Sequence, residues 1–74
     1  MKWKNITEIP SELINEDLFL RVEKRTQKEM LYATGNISEL GDVYAYSNVF
    51  DGFISRDDWK NVWYVNPKEI EFNQ

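Results

Sequence analysis

Asp57 and Asp58 are adjacent acids, with Asp51 six positions upstream, and no other residues of this 74-residue chain come closer by type and spacing to acid–base chemistry. A pair of carboxylates can cleave a glycosidic bond when the two face each other across a groove. A chain this short has little room for such a groove, and simpler roles account for these acids. The string Ser55-Arg56-Asp57-Asp58 fits a capping box, and Asp57 and Asp58 suit the positive end of the short helix it would start. Asp51-Gly52 reads as a turn dipeptide between apolar neighbours. Nucleophilic catalysis is served less well. Ser11, Ser38, Ser47 and Ser55 supply hydroxyls, but the chain has no His to act as base, no Cys to replace Ser, and no Ser-x-x-Lys spacing. The acids do not follow the Asp-x-Asp/Asn-x-Asp/Asn-Gly order of a calcium loop. The expectation is therefore no catalytic residue, no metal and no cofactor.

Recognition is the chemistry that remains. The net charge of −4 and the pI near 4.7 argue against binding nucleic acid by neutralising phosphates. The one basic cluster, Lys24-Arg25-Thr26-Gln27-Lys28, is flanked by Glu23 and Glu29 and has no interleaved aromatic, so it reads as a solvated hairpin tip. Aromatic and acidic residues concentrate between Tyr44 and Tyr64. In an extended segment Tyr44 and Tyr46 share one face and Val43 and Ala45 the other. The small apolar pair suits a packed core, which leaves the tyrosines partly exposed. Tyr and Trp are favoured interface anchors because they combine large area with a polar tip. Tyr44, Tyr46, Asp51, Asp57, Asp58 and Trp63 are thus the predicted partner-binding residues. Asp42 adds to an acidic rim that would attract a basic partner.

The elements that must carry these residues are mostly strands. From Asp17 the pattern has a period of two, with Leu18, Leu20 and Val22 on one face and Phe19, Arg21 and Glu23 on the other. A second strand is predicted over 29–34, broken by Gly35-Asn36, a third over 43–46, a short edge segment at Phe53-Ile54, and a strand over 62–65 ended by Asn66-Pro67. Ile70 and Phe72 alternate and predict a last edge strand. Pro10 followed by Ser11-Glu12-Leu13-Ile14 predicts a single helical turn closing near Asn15. The fold class is mainly β: a curled antiparallel sheet or half-open small barrel of four or five short strands, with one or two single-turn helices. A small α+β fold, a flat sheet with a helix on one face, is the alternative.

Length allows one small domain over 1–74. Such a chain buries only about 60% of its unfolded surface, so the three Trp, four Tyr and four Phe are expected mostly in the core. No apolar stretch follows the first residues and no run approaches the ~20 apolar residues of a membrane span. The expected setting is cytoplasmic, with no membrane partner.

Trp3, the Ile6-Thr7-Glu8-Ile9-Pro10 turn, the strand over 18–22 and the Trp/Tyr-rich closing segment over 59–67 together resemble a family of short phage- and prophage-encoded proteins of unknown function. Where that family closes on a His-Trp pair before its prolines, this chain has Trp63-Tyr64-Val65-Asn66-Pro67. The resemblance implies a phage accessory protein acting in the host cytoplasm and transfers no catalytic residue. The expected function is that of a non-enzymatic acidic protein-binding module, an inhibitor occluding a basic surface of a host nucleic-acid-processing or defence protein. The alternative is a self-associating assembly subunit, for instance a homodimer.

Overall fold

Period-two alternation after Asp17 builds the central strand of a six-stranded antiparallel sheet. In the computed structural model, which describes residues 2–70, Leu18, Leu20 and Val22 point to one face and are fully buried, while Phe19, Arg21 and Glu23 point to the other and are half-buried. The strands are β1 (Lys4–Asn5), β2 (Leu18–Lys24), β3 (Leu31–Ile37), β4 (Val43–Tyr46), β5 (Asp51–Ile54) and β6 (Trp59–Val65), in the spatial order β1-β6-β2-β3-β4-β5. β2 to β5 form a meander, and β6 returns beside β2. The fold is mainly β, with six strands rather than four or five. Among the described residues the only helical pieces are 3-10 turns at Ile6–Glu8, Ser11–Leu13 and Pro67–Glu69, so the α+β alternative does not hold.

The sheet cannot be flat. β5 ends at Ile54 on one edge, and β6 begins at Trp59, four strand spacings away. At ~4.8 Å per spacing that is ~19 Å sideways in a flat sheet, whereas five extended residue steps reach at most ~18 Å. Ile54 is moreover level, through Val43 and Ile37, with the start of β2, and Trp59 pairs with Lys24 at its end. Only a strongly coiled sheet brings these opposite corners together. Residues 55–58 bridge the mouth of that coil. The Arg56 N–H donates to Asp42 Oδ1 at 2.9 Å on one side, and the Arg25 N–H donates to the Asp58 carbonyl at 3.0 Å on the other. The half-open barrel read from the sequence corresponds to this coiling.

The coil encloses an aliphatic core of Leu18, Leu20, Val22, Ile37, Val43, Ala45, Ile54 and Val62, closed by Trp59, Tyr64 and Ile6. Ile9 and Leu13, from the turns before β2, pack against it. The Ser11–Leu13 turn is where Pro10 places it, and Asn15 follows with a φ of 67°, a value Asn tolerates better than most residues.

Three turn expectations are corrected. Gly35-Asn36 does not break β3, which continues to Ile37. Gly35 is required instead by a close approach, because a Cβ there would overlap the Tyr44 carbonyl oxygen across the β3–β4 pair. Asp51-Gly52 is not a turn either. Both residues begin β5, and the hairpin closes one step earlier, where the Ser47 N–H donates to the Phe50 carbonyl at 2.7 Å. The Ser55 capping box starts no helix. Ser55 Oγ accepts from the Asp57 N–H at 3.2 Å and its carbonyl from the Asp58 N–H at 2.8 Å, which makes one turn. β6 then begins at Trp59, three residues before the predicted Val62, because the Trp59 side chain is drawn into the core. β1 has no sequence signal beyond its two residues. At the other end, Ile70 caps the last 3-10 turn, and the predicted strand partner Phe72 lies outside the described residues.

Candidate functional site

The face of the sheet turned away from the core carries most of the aromatic side chains. Trp59 and Tyr64 are buried and Phe50 packs against the core, but Trp3, Phe19, Tyr32, Tyr44, Tyr46, Phe53 and Trp63 stand on the outer face. The expectation that the aromatics mostly serve the core is therefore wrong. The reason lies in the alternation. Aliphatic residues take every second position of β2 and β4, and the bulky rings between them have nowhere to point but outward.

Two clusters form on that face. On β4 and β5, Tyr44 and Tyr46 meet edge to face at 5.7 Å between ring centroids, and Tyr44 meets Phe53 at 4.8 Å. The Tyr44 hydroxyl donates to Asp51 Oδ1 at 3.1 Å. That bond, followed by the charge of Asp51, raises the Tyr44 pKa above its ordinary value, since ionising the phenol would lose the bond and face a carboxylate. Phe53 is 75% exposed and Tyr46 41%, high values for rings of that size.

The second cluster lies across β6, β2 and β3, where Trp63, Arg21 and Tyr32 are cross-strand neighbours. The Arg21 guanidinium carbon is 4.4 Å from the Trp63 ring centroid and 5.3 Å from that of Trp3, and Trp3 in turn contacts Tyr32 edge to face at 6.1 Å. Phe19 and Thr34 lie in the row that joins this cluster to Tyr46 and Asp51.

Of the predicted residues, Tyr44, Tyr46 and Asp51 are brought together, and Trp63 shares their face but belongs to the other cluster. Asp58 reaches the border of the Tyr44–Tyr46–Phe53 cluster, lining a groove with Phe53, Phe50 and Lys24, and Asp57 does not. Both acids lie in the bridge over the mouth of the coil, where the Asp57 carbonyl accepts from Arg25 Nε at 3.1 Å. Asp42 is committed to the Arg56 N–H. The acids thus form no single rim around the rings: the Asp42 carboxylate and the backbone carbonyls of Asp57 and Asp58 hold the β5–β6 connection in place. Sequence reasoning missed Phe53, Tyr32, Phe19, Arg21 and Trp3. For Phe19, Arg21 and Tyr32 the alternation already carried the signal. Trp3 had none.

The described residues contain no group of three His, Cys, Asp or Glu that could hold a metal ion, and no helix long and apolar enough to cross a membrane. Comparison with protein families, with curated proteins and with solved structures finds no match to this chain.

Proposed function

We propose that this chain is a non-enzymatic protein-binding module that docks through the outer face of its sheet. The observation that carries the reading is the partition of side chains, an aliphatic core beneath a face of exposed rings. Contiguous exposed apolar surface of this kind marks interaction sites. The Tyr44–Tyr46–Phe53 cluster supplies the anchors, and Asp51 supplies a carboxylate beside them for a Lys or Arg of the partner. Together with the net charge of −4 this favours a partner with a basic surface. The resemblance to short phage-encoded proteins favours an inhibitor of a host nucleic-acid-processing or defence protein in the host cytoplasm.

The test is affinity capture from a bacterial lysate with the tagged chain. One dominant, salt-sensitive partner is expected. Tyr46→Ala with Phe53→Ala should abolish capture and Asp51→Asn should weaken it, while unfolding midpoints stay close to the parent's. Retention of the same partner by the double variant sinks the reading. Self-association is the second reading, favoured by β5, which is an edge strand with no further neighbour among the described residues. A concentration-independent monomer mass in light scattering eliminates it.

A further inference from the structure

We propose that Arg21, stacked against Trp3 and Trp63, is a carboxylate-binding site at the far end of the outer face, which takes an acidic side chain or chain terminus from an acidic peptide segment. The proposal rests on the docking reading of that face and names what its second cluster recognises.

The indole contacts do not account for everything about Arg21. Stacking uses the faces of a guanidinium and leaves its in-plane donors free, and these donors match the geometry of a carboxylate. Arg21 Nε is buried and has no hydrogen-bond partner. Among the described residues no carboxylate lies within ion-pair distance of Arg21. The nearest acid along the strand, Glu23, is turned to Asn61, whose Nδ2 donates to Glu23 Oε1 at 2.8 Å. A guanidinium that served packing alone would be expected to meet that acid, two residues away on the same face. Instead the acid has its own partner, and the guanidinium has no ion-pair partner and a buried Nε without a hydrogen bond.

The surroundings favour a carboxylate over a phosphate. Trp3 and Trp63 also line a groove beside the edge strand β1, together with Lys2, Lys4, Glu8 and Glu69. The two lysines and two glutamates balance, and Arg21 is offset in turn by Glu23 on its own strand, so the surroundings carry no net charge. In surroundings without net charge a phosphate, at about −1.5 to −2, gains no net attraction over a carboxylate and costs more to take out of water beside the two indoles. A flat carboxylate also fits in the plane of the guanidinium beside the rings that flank it, and apolar atoms next to the carboxylate would rest on those rings.

The face is then polarised, with Asp51 among rings at one end and Arg21 among rings at the other. A partner segment that presents a basic group and an acidic group at that separation can dock in only one orientation. This adds specificity to the aromatic anchors.

The test uses the isotopically labelled full chain in solution, with three probes: a short Glu-rich peptide, a Lys-rich peptide of equal length, and inorganic phosphate. The readouts are the Arg21 Nε–H and the Trp3 and Trp63 indole N–H resonances, with the Trp59 indole as a reference because it is buried on the opposite side. The Glu-rich peptide should shift the first three saturably and leave Trp59 in place. Arg21→Lys keeps a cation but loses the planar fork, and should weaken binding about tenfold, the worth of a bidentate charge-assisted pair. Arg21→Gln should abolish it, and an unmoved Trp59 resonance shows that each variant is folded. Tighter binding of phosphate than of the peptide overturns the carboxylate assignment. No shift with any probe, or equal shifts with the Lys-rich peptide, overturns the site. Capture of a partner through Tyr46 and Phe53 would survive either failure, so the two proposals fall separately.

Discussion

At Tyr44 one hydrogen bond joins stability to pH. The hydroxyl donates to Asp51 Oδ1, and the phenol pKa is raised above its ordinary value of about 10, first by that bond and then by the charge of Asp51. Tyr64 is raised too, first by burial in the core and then by the charges of Glu69 and Glu8. In both cases the folded protein favours the neutral phenol more than the unfolded chain does. Each tyrosine therefore contributes stability that is fully present below a pH of about 10 and is lost as pH rises through the folded value. Spectroscopic titration should find Tyr44 and Tyr64 ionising above the ordinary tyrosine value. Asp51→Asn should bring Tyr44 down toward the ordinary range and leave Tyr64 raised. If Tyr44 ionises at its ordinary value in the parent chain, the Tyr44–Asp51 bond does not persist in solution. The sequence placed Tyr44, Tyr46 and Asp51 in one site, and the structure brings them together. It did not show that the carboxylate would meet a phenol, because that contact spans the β4–β5 pair, and its register depends on a turn at residues 47–50 that the reading placed at Asp51-Gly52.

The element that decides the architecture is the bridge over residues 55–58, which forces the sheet to coil. Trp59 secures its far end. The indole is buried, its Nε1–H donates to the Gly41 carbonyl at 2.9 Å, and the Arg56 guanidinium stacks on its ring at 4.3 Å. Gly41 makes this possible, with a φ of 88° and no side chain to collide with Arg56. Trp59→Phe would keep much of the ring packing and strand the Gly41 carbonyl, so a loss of about 1–3 kcal/mol is expected in urea unfolding. Trp59→Ala should cost about 3–5 kcal/mol by opening the core. A neutral Trp59→Phe would mean that water satisfies Gly41 and the bridge is held by its backbone bonds alone. Alternation revealed β2 and β4 because each strand states its own period. The bridge was misread as a helix start because Ser55, Asp57 and Asp58 fit a local cap equally well. What overrides the cap is the long-range pairing of residues 59–61 with β2, which no local signal carries.

For the molecule as a whole, acidity and exposed rings must be considered together. A face bearing Phe53 and Tyr46 in the open would draw copies of the chain together, and the net charge of −4 at neutral pH opposes that contact. As pH falls toward the pI near 4.7 the repulsion vanishes while the apolar face remains. Light scattering at fixed concentration should therefore show association rising steeply between neutral pH and the pI. Tyr46→Ser with Phe53→Ser should suppress it at unchanged net charge. The same double variant should change folding stability by no more than about 1 kcal/mol, since exposed rings contribute little to the core, whereas Leu20→Ala, fully buried, should cost about 2–5 kcal/mol. A large stability loss in the double variant would make the outer rings part of the fold and remove the reason for treating them as a docking surface. Association that persists in the double variant would place the self-contact elsewhere, with the free edge of β5 the first segment to examine. Composition alone could not separate these cases, because it counts the rings without assigning them to a face. That assignment comes from the order of aliphatic and aromatic residues along each strand, and from the coil that leaves the aromatic side outward.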